Sequence, residues 1–312
     1  MNFPVKRGVG ATWLLLAGMA AADPAARIIH AGFLQNPALE EISGLAGSRR
    51  EIGLFWAIND SGNPADLYAF SSDGTHRGRW AIQDAENRDW EDLAAFRLDG
   101  QPWLLIADVG NNEGQVEELR LYILREPEAP RGGAPVERVA PVERVIRFRF
   151  EEGPRDCEAV AVDADRGQIL LLTKRTVPAV LYALPLVPAS GEEVLTARPL
   201  AAAENLPQPT ADDLSDDPQY GRFRSQPTAM DLAPDGSALY VLTYKNAYIF
   251  PRHNEETWAE AIRRAPITVE LPRMTQAETL AVEAGGRAFY VSSEQKPMPL
   301  LRVEPAPTGE NP

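Results

Sequence analysis

The chain has 312 residues, with 45 Asp and Glu against 31 Lys and Arg and a formal net charge of −14. So acidic a balance offers no basic field to offset phosphate repulsion, which excludes nucleic-acid binding as its main activity. The 27 prolines and 23 glycines favour many short strands over long helices, and the single cysteine, Cys157, excludes an internal disulfide.

In chain order, the first expected element is a leader. Lys6 and Arg7 give a positive start, an apolar run follows from Val9 to Met19, and Ala20-Ala21-Ala22 is a small-residue cleavage site. Residues 1–22 are therefore expected to be a cleaved signal peptide. Residues 23–312 are expected to form one exported domain, periplasmic or extracellular. The apolar run is too short for a mature anchor, and no later stretch approaches the roughly 18 apolar residues of a membrane span.

Arg27–Phe33 reads as an outer strand without a near neighbour. After it come five repeats of one plan: a polar lead-in, a short apolar strand with alanine at a fixed place, a turn, and two further apolar strands. They open at Ile42-Ser43-Gly44-Leu45-Ala46, Trp90-Glu91-Asp92-Leu93-Ala94, Cys157-Glu158-Ala159-Val160-Ala161, Ala229-Met230-Asp231-Leu232-Ala233 and Ala277-Glu278-Thr279-Leu280-Ala281. Second strands fall at 54–58, 103–107, 169–173, 238–243 and 288–292, and third strands at 67–70, 121–124, 180–184, 247–250 and 300–303. Fourth strands fit at 78–82, 145–150 and 267–271.

The last repeat has only three strands of its own, and Arg27–Phe33 supplies the fourth. This pattern predicts an all-β fold: a single β-propeller of five four-stranded blades, closed by an N-terminal outer strand. A six-bladed alternative would need a blade between Pro185 and Pro227. That stretch is rich in proline and carries Asp212, Asp213, Asp216 and Asp217, so it reads as one outer strand and a long solvated loop. Arg125–Pro141 reads as a flexible loop, and Glu255–Arg264 as a short helix with Trp258 and Ile262 on one face.

The repeat register also predicts a site. Three residues before each registering alanine stand Ser43, Glu91, Glu158, Met230 and Glu278. At the end of the second strands stand Asn59 and Asp60, Asp108, Lys174, Tyr244 and Lys245, and Glu294. In a propeller both sets reach the same mouth of the central channel. Crowded carboxylates need compensation: a divalent cation with oxygen ligands, Ca²⁺ foremost, is one solution, and Lys174 and Lys245 as internal counter-ions are another. Glu91, Asp108, Glu158, Glu278 and Glu294 are the expected metal ligands.

Asn59, Asp60, Asn111, Lys174, Tyr244 and Lys245 are the expected contacts of a small anionic or ester-type ligand. The same residues also fit a hydrated acidic entrance laced with salt bridges. No catalytic residue stands out: His30, His76 and His253 fall on outer strands or loops, away from any zinc or Ser–His–Asp arrangement.

The runs Glu41-Ile42-Ser43-Gly44-Leu45-Ala46 with Asn59-Asp60-Ser61-Gly62, Asp89-Trp90-Glu91-Asp92-Leu93-Ala94, Asp108-Val109-Gly110-Asn111-Asn112 and Asp156-Cys157-Glu158-Ala159 carry a resemblance. The chain resembles a family of exported bacterial propellers of unassigned function and, more distantly, the SdiA-regulated and phytase-like (esterase-like) propellers. The phytase-like resemblance implies calcium and phosphoester or ester hydrolysis. A monomer is expected that binds or hydrolyses such a ligand at the acidic mouth. The alternative is a non-catalytic periplasmic scaffold that binds a protein or an envelope glycan through its face loops.

Overall fold

The computed structural model describes residues 26–189 and 193–306, so the expected leader lies outside the described residues. Strand β1 (Ala26–Phe33) comes first. Strands β2 (Ile42–Gly47), β3 (Leu54–Asn59), β4 (Asp66–Ser71) and β5 (His76–Gln83) form an antiparallel meander. Strands β6 (Trp90–Leu98), β7 (Gln101–Asp108) and β8 (Leu119–Arg125) begin a second one. After β9 (Val136–Pro141), β10 (Arg144–Phe150) completes it.

The third meander is β11 (Cys157–Asp163), β12 (Gln168–Thr173), β13 (Val180–Pro185) and β14 (Leu195–Ala202). Helix α1 (Ala211–Asp216) and a 3₁₀ turn (Gly221–Phe223) follow it. The fourth is β15 (Pro227–Leu232), β16 (Ala238–Thr243), β17 (Asn246–Pro251) and, after helix α2 (Trp258–Ala261), β18 (Ile267–Glu270). The chain then makes β19 (Ala277–Val282), β20 (Phe289–Ser293) and β21 (Pro299–Pro305). Strand β1 completes this last sheet: Arg27 lies opposite Glu304, Ile28 opposite Val303 and His30 opposite Leu301.

The leading strands touch in cyclic order, β2 to β6, β6 to β11, β11 to β15, β15 to β19 and β19 back to β2. An all-β ring of four-stranded units is the arrangement of a β-propeller. Both faces of these strands meet apolar neighbours, so their sequences are apolar runs rather than alternations, and every residue of β2, β11 and β15 is buried. Hydrophobic clusters fill the wedges between neighbouring sheets. Trp56, Trp80, Trp90 and Tyr122 lie in one wedge, and Phe148, Phe150, Val160 and Tyr182 in the next.

A leading strand has one edge with no strand beside it, and its buried N–H groups need other partners. Two buried carboxylates supply them. Asp92 Oδ1 accepts Leu93 N at 2.8 Å, while Oδ2 accepts Val160 N at 2.7 Å and Met230 N at 3.2 Å, which ties β6 to β11 and β15. Asp231 accepts Leu232 N and Val282 N, both at 2.8 Å, and so links β15 to β19. Beyond them Arg49 spans three units, donating to Ala95 O at 3.0 Å and Val282 O at 3.3 Å and lying 3.8 Å from Asp231.

Two expectations change. Arg125–Pro141 is not wholly loop, because β9 adds a parallel fifth strand to β5, with Gly78 opposite Val136 and Ile82 opposite Ala140. An edge strand needs main-chain pairing and little burial, and Val139 is 61% exposed, so β9 has no apolar signature. In 185–227 the described residues hold β14 and two short helical turns but no four-stranded meander. Asp213, expected in a solvated loop, is buried. Its carboxylate closes a capping box with Thr210 and pairs with Lys245 at 2.7 Å and Arg224 at 3.2 Å. The short helix in 255–264 is present, with Trp258 and Ile262 buried and Trp258 Nε1 bonded to Asp163 at 2.7 Å.

Candidate functional site

Each leading strand carries a β-bulge at the same place. Pairing skips one residue between Ile42 and Gly44, Trp90 and Asp92, Cys157 and Ala159, Pro227 and Ala229, and Ala277 and Thr279. The skipped residues are Ser43, Glu91, Glu158, Thr228 and Glu278. A bulge frees its residue from the ladder and re-aims its side chain. Three of the five are glutamates, all of them expected at this mouth.

The fourth repeat is out of phase with the sequence reading by two positions. Thr228, not Met230, occupies the bulge, and its hydroxyl donates to Ala277 O at 2.7 Å. Asp231 stands where the other repeats have Ala46, Ala94, Ala161 and Ala281.

At the end of the second strands, a step of one residue separates two roles. Asn59 and Asp108 are the last paired residues, opposite Ile42 and Trp90. Both are buried and hold main chain. Asn59 accepts Glu40 N at 3.1 Å and donates to Ala38 O at 2.8 Å. Asp108 accepts Asp89 N at 2.9 Å and lies 3.4 Å from Arg88. Asp108 is not one of the three carboxylates that lie together, described below, and its Oδ2 is buried without a hydrogen-bond partner among the described residues. One step further on, Asp60, Lys174, Tyr244 and Glu294 join the bulge glutamates, as strand alternation dictates.

Asn111 is likewise spent internally, accepting Gln115 N and Val116 N at 2.9 and 3.0 Å and donating to Val116 O at 2.9 Å. Lys245 turns away to Asp213, as described. In the second repeat Val109 follows Asp108, and Gly110, two steps on, has no side chain; its N–H donates to Asp89 O at 3.1 Å, as Asp60 N donates to Glu41 O in the first repeat.

These residues form one acidic centre. Carboxylate oxygens of Asp60, Asp89 and Glu91 all lie within 4.8 Å of one another. A Cβ on Gly110 would stand 2.2 Å from Glu91 Oε1 and 2.3 Å from Asp89 Oδ2, so the glycine makes room for both carboxylates. Nearby, Glu158 pairs with Lys174, Tyr244 donates to Glu278 at 2.8 Å, and the Lys174 ammonium lies 5.2 Å from the centroid of the Tyr244 ring.

Asp89 is absent from the expected set. The signal was present, since Glu41, Asp89 and Asp156 each stand one residue before a leading strand in three consecutive repeats.

Burial and mutual repulsion shift these groups together. Burial, with Asp89 and Glu278 adding, pushes Asp60 up to about 6. Burial also raises Asp89, with Arg88 pulling it partly back. Glu91 is pushed well above the usual carboxylate range by burial, then by Glu158 and Asp60. Glu294 rises to about 8 through burial and the charges of Glu278, Asp60 and Glu41. Burial raises Glu158 against the pull of Lys174. For Lys174 burial acts downward, but Glu158, Tyr244 and Glu278 outweigh it and keep the ammonium charged.

A cleft of about 830 Å³ opens beside this centre, with Lys174 and Tyr244 in its wall. Its other side includes Asp217, Tyr220, Phe223 and Arg224, from the segment that follows α1 and contains the 3₁₀ turn, pinned by Asp213. A Cβ on Gly221 would meet Asp213 O at 2.0 Å, so only glycine lets the two turns pack. Gly221→Ala is expected to cost about 1–3 kcal/mol and to speed proteolytic cutting within 209–226 over that of the wild type.

No protein-family model matches the chain, and no curated protein matches it. The likeness to the SdiA-regulated and phytase-like families therefore rests on the motifs alone. Among solved structures the chain is similar to the RRP9 WD40 repeats, at 9% identity and a TM-score of 0.44 over 89% of this chain and 97% of that one. It is similar to U3-55K at 8% and 0.45, over 89% and 98%. It is also similar to a luciferin-regenerating enzyme at 10% and 0.44, over 90% and 96%. Nothing about binding or activity transfers at such identities. Among the described residues no helix is long and apolar enough to cross a membrane.

Proposed function

We propose that the chain is an exported, monomeric propeller of five blades that holds a divalent cation at Asp60, Asp89 and Glu91 and takes a small anionic or ester-type ligand at the same mouth. The cyclic contacts of the five leading strands support the blade count. One observation carries the site: three carboxylates from two units converge within 4.8 Å, in a space that any side chain at Gly110 would fill. Their donors are all oxygen, which suits Ca²⁺ or Mg²⁺ and not a thiolate- or imidazole-seeking metal. Glu158, Glu278 and Glu294 surround the cation at longer range and set the field, with Lys174 as their counter-charge. A bound cation would polarise a phosphoryl or carbonyl oxygen of the ligand.

Thermal unfolding of metal-free protein tests the reading. A cation selective for the folded state should stabilise it by about 2.7 kcal/mol at a hundredfold excess over Kd. Glu91→Gln should remove most of the Ca²⁺ shift, and Gly110→Ala, which fills the space without altering charge, should abolish it. Turnover of phosphoesters and carboxyl esters with Ca²⁺ present then separates a hydrolase from a binding protein. If neither Ca²⁺ nor Mg²⁺ moves the melting temperature and Glu91→Gln simply raises it, the centre is a strained charge cluster and the scaffold reading takes its place.

A further inference from the structure

The cleft beside the acidic centre has the opposite character to the rest of the molecule. In a chain of net charge −14, its wall carries Lys174, Arg175, Arg224 and Arg273 against one acid, Asp217. The carboxylates that partner the first three, Glu158, Asp156 and Asp213, stand behind the wall and not in it. Arg273 is the least committed: its side chain is 69% exposed and its nearest carboxylate, Asp217, is 3.8 Å away. A concave surface with clustered cations in an acidic protein focuses the field on an incoming anion.

The same wall presents three aromatic rings. Tyr244 lies under the Lys174 ammonium, and Phe223 and Tyr220 come from the 3₁₀ segment. Tyr220 is 58% exposed, and its hydroxyl accepts from Gln219 Nε2 at 2.8 Å. Rings and guanidinium planes side by side favour a flat, electron-rich partner over a compact inorganic ion. A volume of about 830 Å³ lies in the range of small-molecule sites.

From these observations we infer that the cleft is the ligand seat and that its ligand is an aromatic organic anion, a ring bearing one phosphate or carboxylate group. The ring lies against Tyr220 and Phe223, and the anionic group faces Arg273 and Lys174. This deepens the reading of that mouth as the ligand face and names the ligand class.

Isothermal titration with phenyl phosphate and benzoate tests it, with inorganic phosphate and phenol as controls, each with EDTA and with Ca²⁺. One or both aromatic anions should bind about tenfold tighter than phosphate or phenol, the gain expected from stacking and charge together. Tyr220→Ala should weaken the aromatic anions about fivefold and leave inorganic phosphate unchanged. Arg273→Ala should weaken both kinds of anion. Both residues are exposed, so the fold should survive. Phenol binding as well as phenyl phosphate, phosphate binding as tightly as either, or affinities indifferent to both substitutions would each overturn the proposal. Failure of the cation reading shows separately, as aromatic anions that bind equally with EDTA and with Ca²⁺ while Ca²⁺ leaves the melting temperature unmoved.

Discussion

Lys174→Met is expected to destabilise the metal-free protein far more at pH 9 than at pH 6. Glu158 and Glu294 are raised to about 8 in the folded state, burial acting first on each. Between their unfolded values near pH 4.5 and about pH 8 the folded protein holds protons that the unfolded chain releases. Stability therefore falls as pH rises through that window and levels off above it. Lys174 lowers both groups, and Glu91 as well. Without it their folded values climb further, so stability keeps falling above pH 8.

Each extra pH unit costs about 1.4 kcal/mol per group. The gap between wild type and Lys174→Met should thus widen by about 2–3 kcal/mol from pH 6 to pH 9. Urea unfolding in EDTA at the two pH values measures it, and adding Glu158→Gln to the variant should close part of the widening. A gap independent of pH would mean that Lys174 contributes packing and does not offset the centre's charge.

The second large effect is expected at Asp92. Its Oδ2 accepts amide protons from two other units, and burial raises its carboxyl well above the usual range against the pull of three N–H groups. Asp92→Asn is nearly isosteric, yet it cannot keep this arrangement. With Oδ1 on Leu93 N, the new NH₂ meets Val160 N and Met230 N donor to donor. With the amide flipped, Leu93 N is left without an acceptor. Unsatisfied buried donors cost about 1–3 kcal/mol each, so the variant should lose about 3–5 kcal/mol, with Asp92→Ala close to it. A neutral Asp92→Asn in denaturant unfolding would mean that the flipped amide still serves Val160 N and Met230 N and that Leu93 N needs no acceptor from this side chain, whereas a neutral Asp92→Ala would rule out Oδ2 as the acceptor of both amides.

The repeat was legible because the leading strands are buried on both faces, which forces an apolar run, with alanine at one place in four of the five units. Its phase was less secure in the fourth unit. There Ala229, Asp231 and Ala233 alternate along the strand, and alanine alone cannot say which marks the register. The structure settles it through Asp231, whose carboxylate serves the neighbouring strand.

Within the site, Glu91, Glu158 and Glu278 could be located from spacing, but the bulges that free them could not. A bulge is a choice of main-chain pairing and leaves no residue type behind. Asp108 is placed as the last paired residue, opposite Trp90, for a related reason: where the ladder stops leaves no mark in the sequence. Asn59 and Asn111 behave as their turn chemistry suggests and hold loops together. Asp213 looked solvated because its partners, Arg224 and Lys245, lie on other elements.

The antiparallel join between β1 and β21 brings together residues some 270 positions apart in the chain. In an open solenoid each repeat rests on its neighbours, so end repeats can fray singly. A ring sealed in this way has no end repeat. Opening one seam strips apolar surface from the units on both sides of it and breaks carboxylate ties such as that of Asp92. The molecule is therefore built to unfold as a whole and not unit by unit. Its folding must also wait for the two chain ends to meet, the most expensive loop closure the sequence contains.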